Sequence, residues 1–146
     1  MQNKRRVKIV VDTNLWISYL MPLSRSGNAV RQQLNRLLVS EDIDFLFSKE
    51  LFDELATTAK RRKFRRYFDT SHVDDLIEML VEVAVIVEVQ SLIEICRDPK
   101  DNFLLALAKD GLADHMISGD KDLLSVKELG QTKIVKLGEF EKMFWE

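Results

Sequence analysis

Val7-Lys8-Ile9-Val10-Val11-Asp12-Thr13-Asn14 is the stretch that decides the fold. Four of its first five residues are β-branched, and the run breaks into the polar Asp12. A short apolar run that ends in a polar turn reads as a buried strand. A second run, His115-Met116-Ile117-Ser118, ends in Gly119-Asp120-Lys121-Asp122. In an open parallel sheet, ligands bind in the crevice outside the carboxyl ends of the strands. Two strands that each carry an aspartate to that edge bring two carboxylates into one pocket. Carboxylates that share a pocket repel unless something offsets their charge, most commonly a divalent cation.

Working outward, strand and helix patterns alternate, which predicts an α/β fold with a mainly parallel sheet of about five strands. Leu15, Trp16 and Leu20 predict a short helix after Asp12, and residues 21–27 a loop. Val30, Leu34, Leu37 and Leu38 keep helical spacing to about Ser40. Residues 44–47 read as a second strand, followed by Ser48 as N-cap of a helix carrying Leu51, Phe52, Leu55 and Ala59. Val73, Leu76, Ile77, Leu80, Val81 and Ala84 mark a helix starting near Ser71. Val85-Ile86-Val87-Glu88-Val89 reads as a third strand. Asp98-Pro99-Lys100-Asp101 opens a helix carrying Phe103, Leu104 and Leu107, with proline and acids where a helix start favours them. Residues 115–118 are the fourth strand, 133–137 the fifth, and 139–145 a terminal helix.

The 146 residues, 46% hydrophobic and 32% charged, suit a soluble globular chain, and no Pro- or Gly-rich linker divides them, so 1–146 reads as a single domain. The one cysteine, Cys96, excludes an internal disulfide and a thiolate zinc site, and is expected to be a small buried hydrophobe. The run at 7–11 is too short for a signal peptide or membrane helix, and 80–89 is interrupted by Glu82 and Glu88. These readings fit a reducing, cytoplasmic location and no membrane. A formal net charge of −2 gives no global argument for nucleic-acid binding, so any such argument rests on local patches.

Four acids stand near the same predicted sheet edge: Asp12, Glu54, Asp101 and Asp120. Asp98 and Asp122 are close to Asp101 and Asp120 in sequence. Each has an ordinary structural role as well: Asp12 and Asp120 as turn or capping residues, Glu54 as an exposed helix carboxylate, Asp98 and Asp101 as helix-start acids. Together they suit metal-assisted phosphodiester hydrolysis, in which Mg²⁺ binds carboxylate oxygens and offsets charge on the attacked phosphate. The only histidines, His72 and His115, form no Ser/His/Asp arrangement and are expected to be structural. Two other readings stay open on the residues alone. An aspartyl-nucleophile phosphatase usually wants a second Asp two residues after the first, where Asn14 stands. A receiver-like Mg²⁺-binding regulatory domain wants an Asp after a central strand, whereas the third strand here ends in Val89-Gln90-Ser91.

Val10-Val11-Asp12-Thr13-Asn14, then Asp98-Pro99-Lys100-Asp101-Asn102-Phe103, then Ser118-Gly119-Asp120-Lys121-Asp122-Leu123-Leu124, in this order and spacing, resemble a PIN domain. Leu104, Ala106, Leu107, Ala108, Ala113 and Asp114 sit between them as that family has them. The likeness runs from Val7 to about Phe140 and is greatest to the small stand-alone PIN proteins that act as toxins of toxin–antitoxin pairs. It implies a three-layer α/β/α fold, dependence on Mg²⁺ or Mn²⁺, endoribonuclease activity, a homodimer and an antitoxin partner. It also implies that Asp12, Glu54, Asp101 and Asp120 are the catalytic and metal-binding acids, although Asp53 adjoins Glu54. Asn14 and Ser118 then support the site, and Asp122 is a further acid.

Residues 60–66 hold the densest basic cluster, with Lys60, Arg61, Arg62, Lys63, Arg65 and Arg66 surrounding Phe64 and followed by Tyr67. Such a stretch neutralises phosphates while an aromatic ring stacks on a base, so RNA is one expected partner. An acidic protein segment is the other. Trp16 and Trp145 are expected in packing, with an exposed Trp available to a dimer interface.

Overall fold

A computed structural model describes residues 5–22, 27–94 and 101–146. Its elements run β1 (Val7–Val11), α1 (Thr13–Leu20), α2 (Gly27–Leu38), β2 (Ile43–Phe47), α3 (Lys49–Ala59), a 3₁₀ turn (Arg62–Phe64), α4 (Thr70–Val83) and β3 (Val85–Ile86). They continue with α5 (Asn102–Asp110), β4 (His115–Ile117), α6 (Lys121–Val126), β5 (Glu128–Leu129), β6 (Thr132–Val135) and α7 (Leu137–Trp145). The sheet order is β3-β2-β1-β4-β6-β5, parallel throughout except for the β5–β6 pair.

The opening strand is the centre of this sheet because its residues tolerate burial on both faces. Ile9, Val10 and Val11 are all buried, although their side chains alternate between faces. Helices cover both, giving a three-layer α/β/α sandwich; α5 packs on β1 and β2, and α7 on β4. Trp16 is buried, with its ring 5.8 Å from Phe45 and 6.0 Å from Phe47, so α1 is held against β2 by aromatic contact. Arg36 on α2 donates to both oxygens of Glu141 on α7, at 2.9 and 3.2 Å, tying elements far apart in sequence. Asp114 accepts from the Lys8 amide at 2.9 Å and pairs with Arg5, which secures the amino ends of β1 and β4.

Two boundaries and two elements depart most from the sequence expectation. The third strand stops at Ile86 instead of continuing to Val89. The Val87 amide still bonds the Phe47 carbonyl, but the Asp110 carboxylate then takes the amides of Gln90 and Ser91 and draws the chain off the sheet edge. A sixth strand, β5, pairs with β6 through a tight turn in which Gly130 adopts φ +57°, the left-handed region that glycine enters without steric cost. Leu137 opens α7 rather than closing β6, because the Phe140 amide bonds the Lys136 carbonyl. The helix α6 fills a stretch that carried no helix expectation. His72 is a helix-start residue, as expected: its Nδ1 accepts from the Asp69 amide at the head of α4. Cys96 and Asp98 lie outside the described residues. Among the described residues, no helix is long and apolar enough to cross a membrane.

Leu80 is 0% exposed and Leu92 is 85% exposed. Leu80→Ala is therefore expected to cost about 2–5 kcal/mol of unfolding free energy. Leu92→Ala should stay within about 0.5 kcal/mol of the parent. Urea unfolding followed by circular dichroism reads both.

Candidate active site

The strand order reverses at β1: β2 and β3 lie to one side, β4 and β6 to the other. Ligand crevices form at such a switch point. The β1–β4 register aligns Val11 with Ile117, and the Asp12 amide bonds the Ile117 carbonyl at 3.0 Å. Asp12 and Ser118 consequently leave adjacent strands side by side. The Ser118 hydroxyl donates to Asp12 Oδ2 at 2.7 Å and accepts from the Asp120 amide at 3.0 Å. One buried hydroxyl thus fixes the backbone of one acid and the carboxylate of another.

Asp12 is 5% exposed. Burial pushes its carboxyl above the ordinary aspartate range, and the nearby Asp120 charge pushes it further the same way. Hydrogen bonds from Ser118 and from the Asn14 and Thr13 amides oppose this without cancelling it. Asp120 Oδ1 accepts from the Asp122 amide at 2.7 Å and, more weakly, from Leu123 at 3.4 Å, so it caps α6 while facing the crevice. Glu54 comes from α3, whose start is set by Ser48 accepting from the Leu51 amide at 3.1 Å. One turn on, the Thr58 hydroxyl donates to Glu54 Oε1 at 3.1 Å and orients it. Asp101 stands at the head of α5.

A small cavity of about 170 Å³ is lined by Asp12, Glu54, Asp101 and Asp120 together, with Asn14 and Arg61 at its wall. The structure thus brings together all four acids expected from the sequence, and Asn14 with them. Asp101, Asp120 and Asp122 each offer a carboxylate oxygen within 4.8 Å of the others. Asp122, expected only as a further acid, therefore groups with Asp101 and Asp120, while Asp12 and Glu54 line the cavity without belonging to that group. All these donors are hard oxygens, the set that suits a divalent cation of the Mg²⁺ or Mn²⁺ kind. A larger hollow of about 550 Å³, bordered by Tyr19, Leu20, Tyr67 and Leu76, holds no comparable set of carboxylates.

Sequence reading missed Thr58, Thr13 and the particular place of Arg61. Thr58 carries a recoverable signal, a hydroxyl four residues after Glu54 on one helix face. The Thr13 hydroxyl also borders the cavity and is buried with no hydrogen-bond partner. The basic stretch is not uniform: Lys60 pairs with Asp74 at 2.5 Å, Lys63 lies over Phe64 and Arg66 over Tyr67, and Arg61 reaches the acid cavity. His115 packs edge-on against Phe140, and burial holds its imidazole below the usual range, which fits a structural residue.

Residues 8–122 match the family model described as PIN domain. The chain belongs to the PIN domain family. A PIN assignment accounts for the ordered acids at the β1/β4 crevice. Among known sequences, the chain is 27% identical over 135 residues to the uncharacterized protein MJ1680 of Methanocaldococcus jannaschii, covering 92% of this chain and 83% of that protein. Among solved structures, its fold is similar to Mycobacterium tuberculosis VapC20, a toxin that cleaves the sarcin-ricin loop. The TM-score is 0.55 at 18% identity, over 86% of this chain and 98% of that one.

The raised Asp12 carboxyl has a measurable consequence in metal-free protein. Between the ordinary and the raised value the folded chain binds more protons than the unfolded one, so stability falls as pH rises through that window. Asp12→Asn is therefore expected to melt at a higher temperature than the parent at pH 7 in EDTA. The gap should close as pH falls toward the ordinary carboxylate range. Thermal melts at stepped pH check both the sign and the window.

Proposed function

We propose that this PIN domain is a metal-dependent endoribonuclease, the toxin component of a toxin–antitoxin pair. The observation that carries the reading is the meeting of Asp12, Glu54, Asp101 and Asp120 in one cavity at the switch point of a PIN-family sheet. Asp12, Glu54, Asp101 and Asp120 would hold Mg²⁺ or Mn²⁺, with Asp122 beside them and Asp98 an additional acid of the same region by sequence. When bound, such a cation offsets charge on the attacked phosphate and lowers the pKa of water. The chain's own part is orientation: Ser118 holds the Asp12 carboxylate, Thr58 holds Glu54, and Asn14 presents an amide at the cavity wall.

RNA as the substrate class is supported by the fold shared with VapC20, whose target is the sarcin-ricin loop. It is also supported by Lys60, Arg61, Arg62, Lys63, Arg65 and Arg66, which follow the Glu54 helix directly and begin at the cavity wall. An antitoxin segment of acidic character would compete for the same stretch. Trp145, 51% exposed at the end of α7, is available to a homodimer interface, and the assembly would act in the cytoplasm.

Asp12→Asn, Asp101→Asn and Asp120→Asn are each expected to lower Mg²⁺-dependent cleavage of end-labelled RNA by at least about 100-fold while leaving circular dichroism unchanged. Undiminished cleavage by folded Asp12→Asn would sink the reading. Removal of metal with EDTA should abolish cleavage, and added Mn²⁺ should restore it.

A further inference from the structure

We propose that Arg61, alone in the basic stretch, contacts the reacting phosphate, while Arg62, Lys63, Arg65 and Arg66 hold flanking backbone. This rests on the ribonuclease reading and deepens it. Of the six cations, Arg61 is the one that lines the cavity shared by Asp12, Glu54, Asp101 and Asp120. Lys60 is committed to Asp74, and Lys63 and Arg66 lie over the rings of Phe64 and Tyr67. Arg61 is exposed and has no ion pair with a described residue, although four carboxylates line the same cavity. Among the described residues nothing engages its guanidinium, whose five donors suit an incoming anion.

The backbone holds this residue in place. The Arg61 amide donates to the Thr58 carbonyl at 3.2 Å, and the Arg61 carbonyl accepts from the Phe64 amide at 3.0 Å. The same Thr58 fixes Glu54 through its hydroxyl. Arg61 and Glu54 are thus mounted on one hydrogen-bonded segment, the end of α3 and the 3₁₀ turn after it.

Charge balance calls for such a group. Four carboxylates outweigh the charge of a single divalent cation, and the phosphodiester brings further negative charge that grows as the phosphorus gains a fifth oxygen. A positive group at the cavity wall lowers the cost of admitting that charge, and it contributes most where water is partly excluded. Arginine suits the task better than lysine because its planar fork donates to two phosphate oxygens at once. Arg61 transfers no proton in this role. It binds and neutralises.

The test compares Arg61→Ala, Arg61→Lys and Arg66→Ala in the full chain. RNA cleavage is measured with Mg²⁺, and Mn²⁺ affinity separately by electron paramagnetic resonance. Anisotropy of labelled RNA on an Asp12→Asn background gives binding without turnover. Arg61→Ala is expected to lower kcat about 100-fold with Mn²⁺ affinity unchanged. Arg61→Lys should recover at most about tenfold of that loss. Arg66→Ala should instead raise KM a few-fold, keep kcat within about twofold, and reduce the salt slope of RNA binding by about one. Equal effects of Arg61→Ala and Arg66→Ala on kcat would overturn the special place of Arg61 and leave the ribonuclease reading standing. Loss of Mn²⁺ affinity in Arg61→Ala would overturn it too, making Arg61 a support for the carboxylates. Absence of cleavage by the unaltered chain would overturn both readings together.

Discussion

The parallel pairing of β1 with β4 is the constraint on which the candidate site depends. These two strands are consecutive in neither sequence nor chain direction of winding; they meet because the chain builds β2 and β3 on one side of β1 and then returns to build on the other. Their register sets Asp12 beside Ser118, and the 2.7 Å hydrogen bond between those side chains locks the arrangement. A slip of one residue would turn every side chain to the opposite face. It would take Asp12 away from Ser118 and out of the crevice. The β1–β4 register and the placement of the first acid are therefore one structural fact.

The site also shows how a fold accommodates carboxylates that repel one another. Asp12 is buried and carries a raised pKa, which is a standing cost in metal-free protein at neutral pH. The Ser118 hydrogen bond limits that cost, and the groups around the site each serve two purposes. Asp120 caps α6 and faces the cavity; Ser118 donates to one acid and accepts from the backbone of the next; Thr58 steadies Glu54 and receives the Arg61 amide on its carbonyl. A residue that caps a helix is held in one orientation, so capping preorganises a carboxylate. For Asp120 this double duty explains why it is, read singly, indistinguishable from an ordinary capping residue.

Sequence periodicity was legible wherever burial selected the residue type. The strands at Val7–Val11, Ile43–Phe47 and His115–Ile117 and the helices carrying Leu34, Leu55 and Leu80 follow from apolar spacing against a common core. Periodicity misled where a single distant side chain intervened. Asp110 ends β3 three residues early by capturing the Gln90 and Ser91 amides, and nothing local to Val85-Ile86-Val87 announces that distant partner. Residues 133–137 were legible as the strand that is β6, but β5 is two residues long, too short to show alternation.

The sequence by itself determined the α/β alternation, the family motifs and the four candidate acids, because these depend on residue type and spacing along the chain. Tertiary structure alone decided that Asp12, Glu54, Asp101 and Asp120 line one cavity, that Asp122 joins Asp101 and Asp120, and that Arg61 differs from its basic neighbours. Those facts depend on strand order and on which way a helix end faces. Both are settled by burying apolar surface across the whole sheet, a condition that no local run of residues encodes.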